Sequence, residues 1–147
     1  MRREDLYQQA KESLCDVGVE RFNEAHRELL YHILLLQEHL EAVLTLDDQT
    51  LDWKLVDQSI DFLETYTLEH LKAEEVLMVA SHYAGYAEHK AEHEKLIVDF
   101  LEIKGRIMAS RKKEDVSELK DFLLGWLFKH TSCTDMEYKG KLDLSLV

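Results

Sequence analysis

The sequence predicts an all-α protein, an up-down-up-down four-helix bundle with an N-terminal arm. Three observations predict it. Four segments place apolar residues at the 3.6-residue helical period. The 147 residues include no proline and only five glycines, so little forces a long helix to break. No alternating strand pattern of useful length occurs, and short polar connections favour antiparallel neighbours.

Residues 1–17 read as a polar arm docked by Leu6, Tyr7 and Leu14, and residues 18–147 as the bundle. Helix A is expected over about 18–45, helix B over about 52–79, helix C over about 86–109 and helix D over about 116–138. The connections are Asp47-Asp48-Gln49-Thr50, Ser81 to Gly85, and Ser110 to Asp115. Asp115-Val116-Ser117-Glu118 has the spacing of a capping box at the start of helix D. Gly125 lowers helix propensity, and its expected use is the close approach of a neighbouring helix.

Composition narrows the function. A formal net charge of −12 argues against nucleic acid or an anionic membrane surface as partner, since phosphate binding needs clustered Lys and Arg. No apolar run approaches the roughly 20 residues that span a bilayer. Met1-Arg2-Arg3-Glu4-Asp5 leads into no apolar stretch of a secretory signal. Cys15 and Cys133 form no CxxC pair, and free thiols in a reduced, cytoplasmic setting are the expectation.

The eight histidines are the unusual feature. On helix A, His26 shares a stripe with Val19, Phe22, Leu30, Ile33, Leu40 and Leu44, all within roughly 40° on the wheel. His32 and His39 fall on the opposite face, which points to solvent. On helix B, His70 and Glu74 are one turn apart among Val56, Leu63, Tyr66 and Leu77, while Glu75 points away. On helix C, His89 and His93 form an i, i+4 pair continued by Leu96, Phe100, Ile103 and Ile107. Glu88, Lys90, Glu92, Glu94 and Lys95 take the flanks. On helix D, His130 lies with Val116, Leu119, Leu123 and Trp126.

Asp135 follows His130 by five residues, about 140° off that stripe in a regular helix. For the two to meet, the helix must widen or bend near Ser132–Thr134. His82 in the B–C turn reads as solvated and Cys133 as a small packing residue.

One inward histidine is ordinarily a satisfied core residue. Seven groups converging from four helices (His26, His70, Glu74, His89, His93, His130 and Asp135) call for a metal, because buried polar groups need partners. Two six-coordinate ions, an octahedral preference suited to iron or manganese, offer twelve positions. Five imidazoles, two carboxylates that each bridge, and one bridging oxo or hydroxo group leave a single position open for a small ligand.

The order H…HxxxE…HxxxH…HxxxxD resembles that of the hemerythrin family. It is carried by His26, by His70 to Glu75, by His89 to His93, and by Trp126 to His130 continuing to Asp135 and Tyr138. Val17-Gly18-Val19 fits the family's lead-in, and the likeness spans about residues 15–138. The resemblance implies reversible O₂ binding at a centre of two Fe ions with a bridging oxo or hydroxo group. It implies that His89, His93 and His130 hold one iron, that His26 and His70 hold the other, where O₂ enters, and that Glu74 and Asp135 bridge. A dry pocket is implied, with Phe22, Leu29, Leu30, Tyr66, Leu71, Leu77 and Trp126 as candidate liners. The chain departs from the family at Asn23, Ala25 and Leu71, where Asp, Gln and Phe are usual. Asn23 is expected to accept a hydrogen bond from a ligand's ring N–H.

Three functions compete. The first is an oxygen carrier, store or delivery protein, which is not an enzyme. The second is an O₂ or redox sensor acting on a separate partner protein. The third is a di-iron oxidase or peroxide-handling enzyme. Ferritin-like oxidases use Glu-x-x-His, which occurs nowhere in this sequence.

Overall fold

The computed structural model describes residues 2–42 and 51–147. Four long helices carry the fold: α2 (Glu20–Glu41), α3 (Trp53–Ala80), α4 (Tyr86–Ser110) and α5 (Lys113–Ser132). Two short ones flank them, α1 (Arg3–Ala10) and α6 (Thr134–Tyr138). The neighbouring pairs are α2–α3, α3–α4, α4–α5 and α5–α2, which closes an up-down-up-down ring. No described helix is long and apolar enough to cross a membrane. Leu44 and the polar run Asp47 to Thr50 lie outside the described residues.

The arm is helical. The polar surface of α1 hides its short apolar side, where Leu6, Tyr7 and Ala10 pack with Leu14 on the bundle. Arg3 pairs with Glu38 at 3.0 Å, and Tyr7 meets Tyr31 edge-on at 5.4 Å. The chain then enters α2 through a loop stitched by side chains. Asn23 Oδ1 accepts from Val17 N–H at 3.0 Å, and Asp16 Oδ1 accepts from Gly18 N–H at 2.9 Å. Gly18 has φ +89°, and a Cβ there would press on Lys139 Cγ at 3.1 Å.

Asp52 caps α3 by accepting from Leu55 N–H at 3.2 Å. The helix runs to the turn at His82 (φ +54°), and α4 follows. Arg111 ends α4 in the left-handed region (φ +53°). Its guanidinium forks onto Asp57 at 2.6 and 2.9 Å and sits 5.1 Å from the centre of the Trp53 ring, tying this end of α4 to α3. The capping box expected at Asp115 does not form. α5 begins at Lys113, three residues earlier than such a cap would start it, and the Asp115 carboxylate is taken by Ser110 Oγ at 2.9 Å and Arg106 at 3.5 Å. Gly125 is not a close-approach site either, since a Cβ there would meet open space.

α5 breaks at Cys133, whose backbone is distorted to φ −113° and ψ −71° before α6 resumes. This is the bend that Asp135 requires. Cys133 itself is exposed and fills no core space.

The core is divided. A large apolar cluster includes Leu29, Leu71, Leu96 and Leu127. A smaller one contains Val17, Val19, Phe22, Leu77, Met78 and Tyr138. The buried histidines, Glu74 and Asp135 occupy the layer between them.

Candidate metal centre

Each long helix delivers its group by register. α2 supplies His26; α3 supplies His70 and Glu74; α4 supplies His89 and His93; α5 supplies His130; α6 supplies Asp135. All seven are buried, none more than 6% exposed. His26 Nε2 lies 3.0 Å from His70 Nε2, and His130 Nε2 lies 3.2 Å from the Nε2 atoms of both His89 and His93. Glu74 Oε1 is 2.8 Å from His70 Nε2, and Oε2 is 3.8 Å from His89 Nε2. Asp135 Oδ1 is 2.9 Å from His89 and from His130, while Oδ2 is 3.3 Å from His26. Two ligand sets result, Glu74-His89-His93-His130-Asp135 and His26-His70-Glu74, with Glu74 common to both.

The chemistry of this layer calls for a cation. All four oxygens of Glu74 and Asp135 are buried without a hydrogen bond of acceptable geometry, despite their closeness to ring nitrogens. His93 Nδ1 lies 2.8 Å from Glu75 Oε2, and His130 Nδ1 lies 3.1 Å from Glu92 Oε2. A carboxylate only accepts, so both Nδ1 atoms carry a hydrogen, and each Nε2 presents its lone pair whenever the ring is neutral. Lone pairs and carboxylate oxygens crowding one apolar layer repel one another unless a positive ion lies among them. The residues fit a metal site.

Titration of the metal-free layer separates the two rings. Burial presses the His93 pKa from 6.5 down to about 3. Burial also opposes charge on His130, but the Asp135 carboxylate 2.9 Å from its Nε2, with Glu74 and Glu92 adding, outweighs it and raises its pKa. Asp135 meets the same opposition from burial, which His130, His26 and His89 overcome, holding it well below 3.8. Tyr138 stacks on His89 with 5.5 Å between ring centres, and burial pushes its pKa far up, with Glu74 and Asp135 adding.

Stability of the metal-free protein should therefore peak near the ordinary histidine range. Between pH 6.5 and about 3 the unfolded chain takes a proton that folded His93 refuses, so stability falls as pH drops through that window. Asp135 adds a further loss below pH 3.8. His130 acts in the opposite sense: its contribution is whole below pH 6.5 and is lost as pH climbs through its raised value. Urea midpoints of the metal-free chain across this range check the dome, and a midpoint rising steadily into alkali would refute the His130 part.

Several expectations need correction. Glu75 does not point away, because its carboxylate reaches across to the back of His93. Asn23 does not serve a ligand ring. Its oxygen takes Val17 N–H, its amide donates to Asp16 Oδ1 at 2.8 Å, and His26 Nδ1 is left buried without a partner. His32 is not simply solvated, since it is half-buried, stacked on Phe62 at 3.8 Å and 3.1 Å from Glu28 Oε1. His39 is half-buried as well, while His82 is exposed in its turn. Of the candidate liners, Leu29 and Trp126 border a small cavity beside the cluster, whereas Phe22 and Leu77 pack with Tyr138 at its other side. Glu75, Glu92 and Tyr138 are neighbours of the cluster to which the sequence reading gave no role there. A signal existed for the two acids: an imidazole that binds through Nε2 needs an acceptor behind Nδ1.

Known proteins point the same way. Residues 17–142 match the family model described as the hemerythrin HHE cation binding domain. A bacteriohemerythrin of Stenotrophomonas maltophilia is 30% identical over 132 residues, covering 89% of this chain and 79% of that protein. A myohemerythrin of Sipunculus nudus is 36% identical over 76 residues, 52% of this chain and 57% of its own length. The fold matches the crystal structure of a wild-type hemerythrin with a TM-score of 0.68 at 24% identity, covering 88% of this chain and 91% of that one.

Proposed function

Since the chain belongs to the hemerythrin family, we propose that it binds dioxygen reversibly at a non-haem di-iron centre, as a carrier, store or delivery protein. His89, His93 and His130 hold one ion in this reading, and His26 and His70 hold the other. Glu74 and Asp135 would serve both, since each carboxylate has oxygens near rings of the two sets. Iron bound there supplies the electrons and the affinity for dioxygen that no side chain of this layer has.

The protein's own part is to orient, to exclude water and to hold protons. Glu75 and Glu92 fix two rings through their Nδ1–H groups. Trp126 stacks on His130 at 4.2 Å, Tyr138 stacks on His89, and Phe22 meets His70 edge-on at 5.7 Å, so aromatic walls close around the imidazoles. The Tyr138 hydroxyl keeps its proton beside Glu74. Apolar clusters on both sides of the layer keep it dry. Five neutral nitrogens against two carboxylates favour the reduced metal, and with it binding over turnover.

The observation that carries the reading is the convergence of four carboxylate oxygens without hydrogen bonds and five ring nitrogens in one buried layer. Anaerobic ferrous titration should saturate at about two irons per chain. Visible absorption should then appear with dioxygen and fade under inert-gas purging. Saturation at one ion, or a colour that never fades, would overturn it.

A further inference from the structure

Directly beside the cluster lies a small apolar cavity of about 10 Å³. Four of its walls are residues three positions from a cluster histidine, one on each long helix. They are Leu29 after His26, Thr67 before His70, Leu96 after His93 and Leu127 before His130. Three residues of helix rise about 4.5 Å, so the cavity is the next layer of the bundle. Trp126 borders both the cavity and His130. The space holds about one water-sized particle, but its lining is almost wholly apolar and suits a small uncharged gas better than water.

Outside, a groove of about 220 Å³ opens between α3 and α4. Ile97 and Phe100 line it, and Leu68 and Leu101 stand at its edge, 42% and 49% exposed. Groove and cavity share two wall residues, Thr67 and Leu96. A partition of two side chains thus separates a solvent-open apolar groove from the layer that touches the cluster.

We propose that a diatomic gas reaches and leaves the cluster between α3 and α4, passing the Thr67–Leu96 partition. The proposal rests on the dioxygen-binding reading above. Thr67 is short and Leu96 can change rotamer, so a passage for a diatomic opens on the timescale of side-chain motion. Ions are turned away, because an apolar groove gives nothing in return for a lost hydration shell. Glu64 and Lys104, paired at 3.1 Å, mark the groove's charged rim.

Dissolved dioxygen is itself the probe. In the metal-free full chain with labelled methyl groups, pressurised O₂ should relax the methyls of Leu29, Leu96 and Leu127 at least twice as fast as those of Leu119 and Ile107. Those two controls are equally buried and lie away from the cavity. Leu68→Trp, which fills the groove's mouth, should remove the excess at the inner methyls. Val76→Trp, on an exposed site outside the groove, should not. In the iron-loaded chain Leu68→Trp should slow O₂ binding and release together, about tenfold each, with affinity unchanged.

Inner methyls that relax no faster than the controls, or that ignore Leu68→Trp, would overturn the port. Reversible O₂ binding with rates untouched by Leu68→Trp would also overturn it, while leaving the function standing. Excess relaxation that Leu68→Trp abolishes, in a chain whose iron form never binds O₂, would support the port and remove the function. Should the metal-free chain not fold, the rates of the iron-loaded chain decide alone.

Discussion

His89→Ala is expected to lose bound iron and fold stability in one step. His89 sits at the centre of the buried layer. Its Nε2 is 2.9 Å from Asp135 Oδ1 and 3.2 Å from His130 Nε2. Its ring packs against His93 at 4.6 Å, His130 at 4.8 Å and Tyr138 at 5.5 Å. Truncation leaves a hole among three rings and takes one of the two nitrogens at 2.9 Å from Asp135 Oδ1. A buried cavity plus a lost polar partner costs the metal-free protein about 2–4 kcal/mol. The loaded protein loses more, because metal that binds only the folded chain adds its binding energy to stability. Iron per chain after gel filtration, with urea midpoints of loaded and metal-free forms, measures both losses. Iron loading should barely shift the variant's midpoint. His39→Ala, on α2 outside the cluster, should keep full iron and the full shift. An iron-replete His89→Ala would contradict the proposed ligand set.

The sequence made the four long helices legible because each buries one continuous apolar face between two neighbours. Leu63, His70, Glu74 and Leu77 recur at helical spacing, and all are buried on α3. The break at Cys133 was legible for a geometric reason: five residues of regular helix cannot put Asp135 beside His130. Features set by side chains reaching across helices were not. A helical wheel places a residue by the direction of its Cβ. Glu75 and Glu92 leave their helices on the flank, then bend onto histidines of α4 and α5. Competition among local hydrogen bonds was equally invisible. Asp115 has the spacing to cap α5 but is claimed by Arg106 and Ser110, and Asn23 is claimed by the backbone of Val17. In α1 the apolar side is too short for periodicity to show above its polar composition.

Asp135→Asn separates the electrostatic role of this carboxylate from its packing. The amide has nearly the same shape, so the break at Cys133 and the seat of α6 should persist. What changes is charge. Asp135 is the carboxylate nearest to His26, His89 and His130, at 3.3, 2.9 and 2.9 Å. In the metal-free protein the closeness and charge of Asp135 do most to raise the His130 pKa against burial. Without them the His130 pKa should drop, and the alkaline loss of stability should shift to lower pH. The metal-free variant can respond by leaving the ring neutral, so it should lose about 1–3 kcal/mol, short of the cost of stranding a buried charge. Iron binding should suffer far more, because a neutral amide cannot offset two divalent ions in an apolar layer. The expected result is a chain that folds, keeps its helix content and holds little iron. Asp135→Ala should lose iron to the same degree and more stability, since it adds a hole. Histidine C2–H chemical shifts followed against pH, with iron content, test both halves. If Asp135→Asn retained iron while His130 titrated as before, Asp135 would be a packing residue, and the proposed second bridge between the ions would have to be withdrawn.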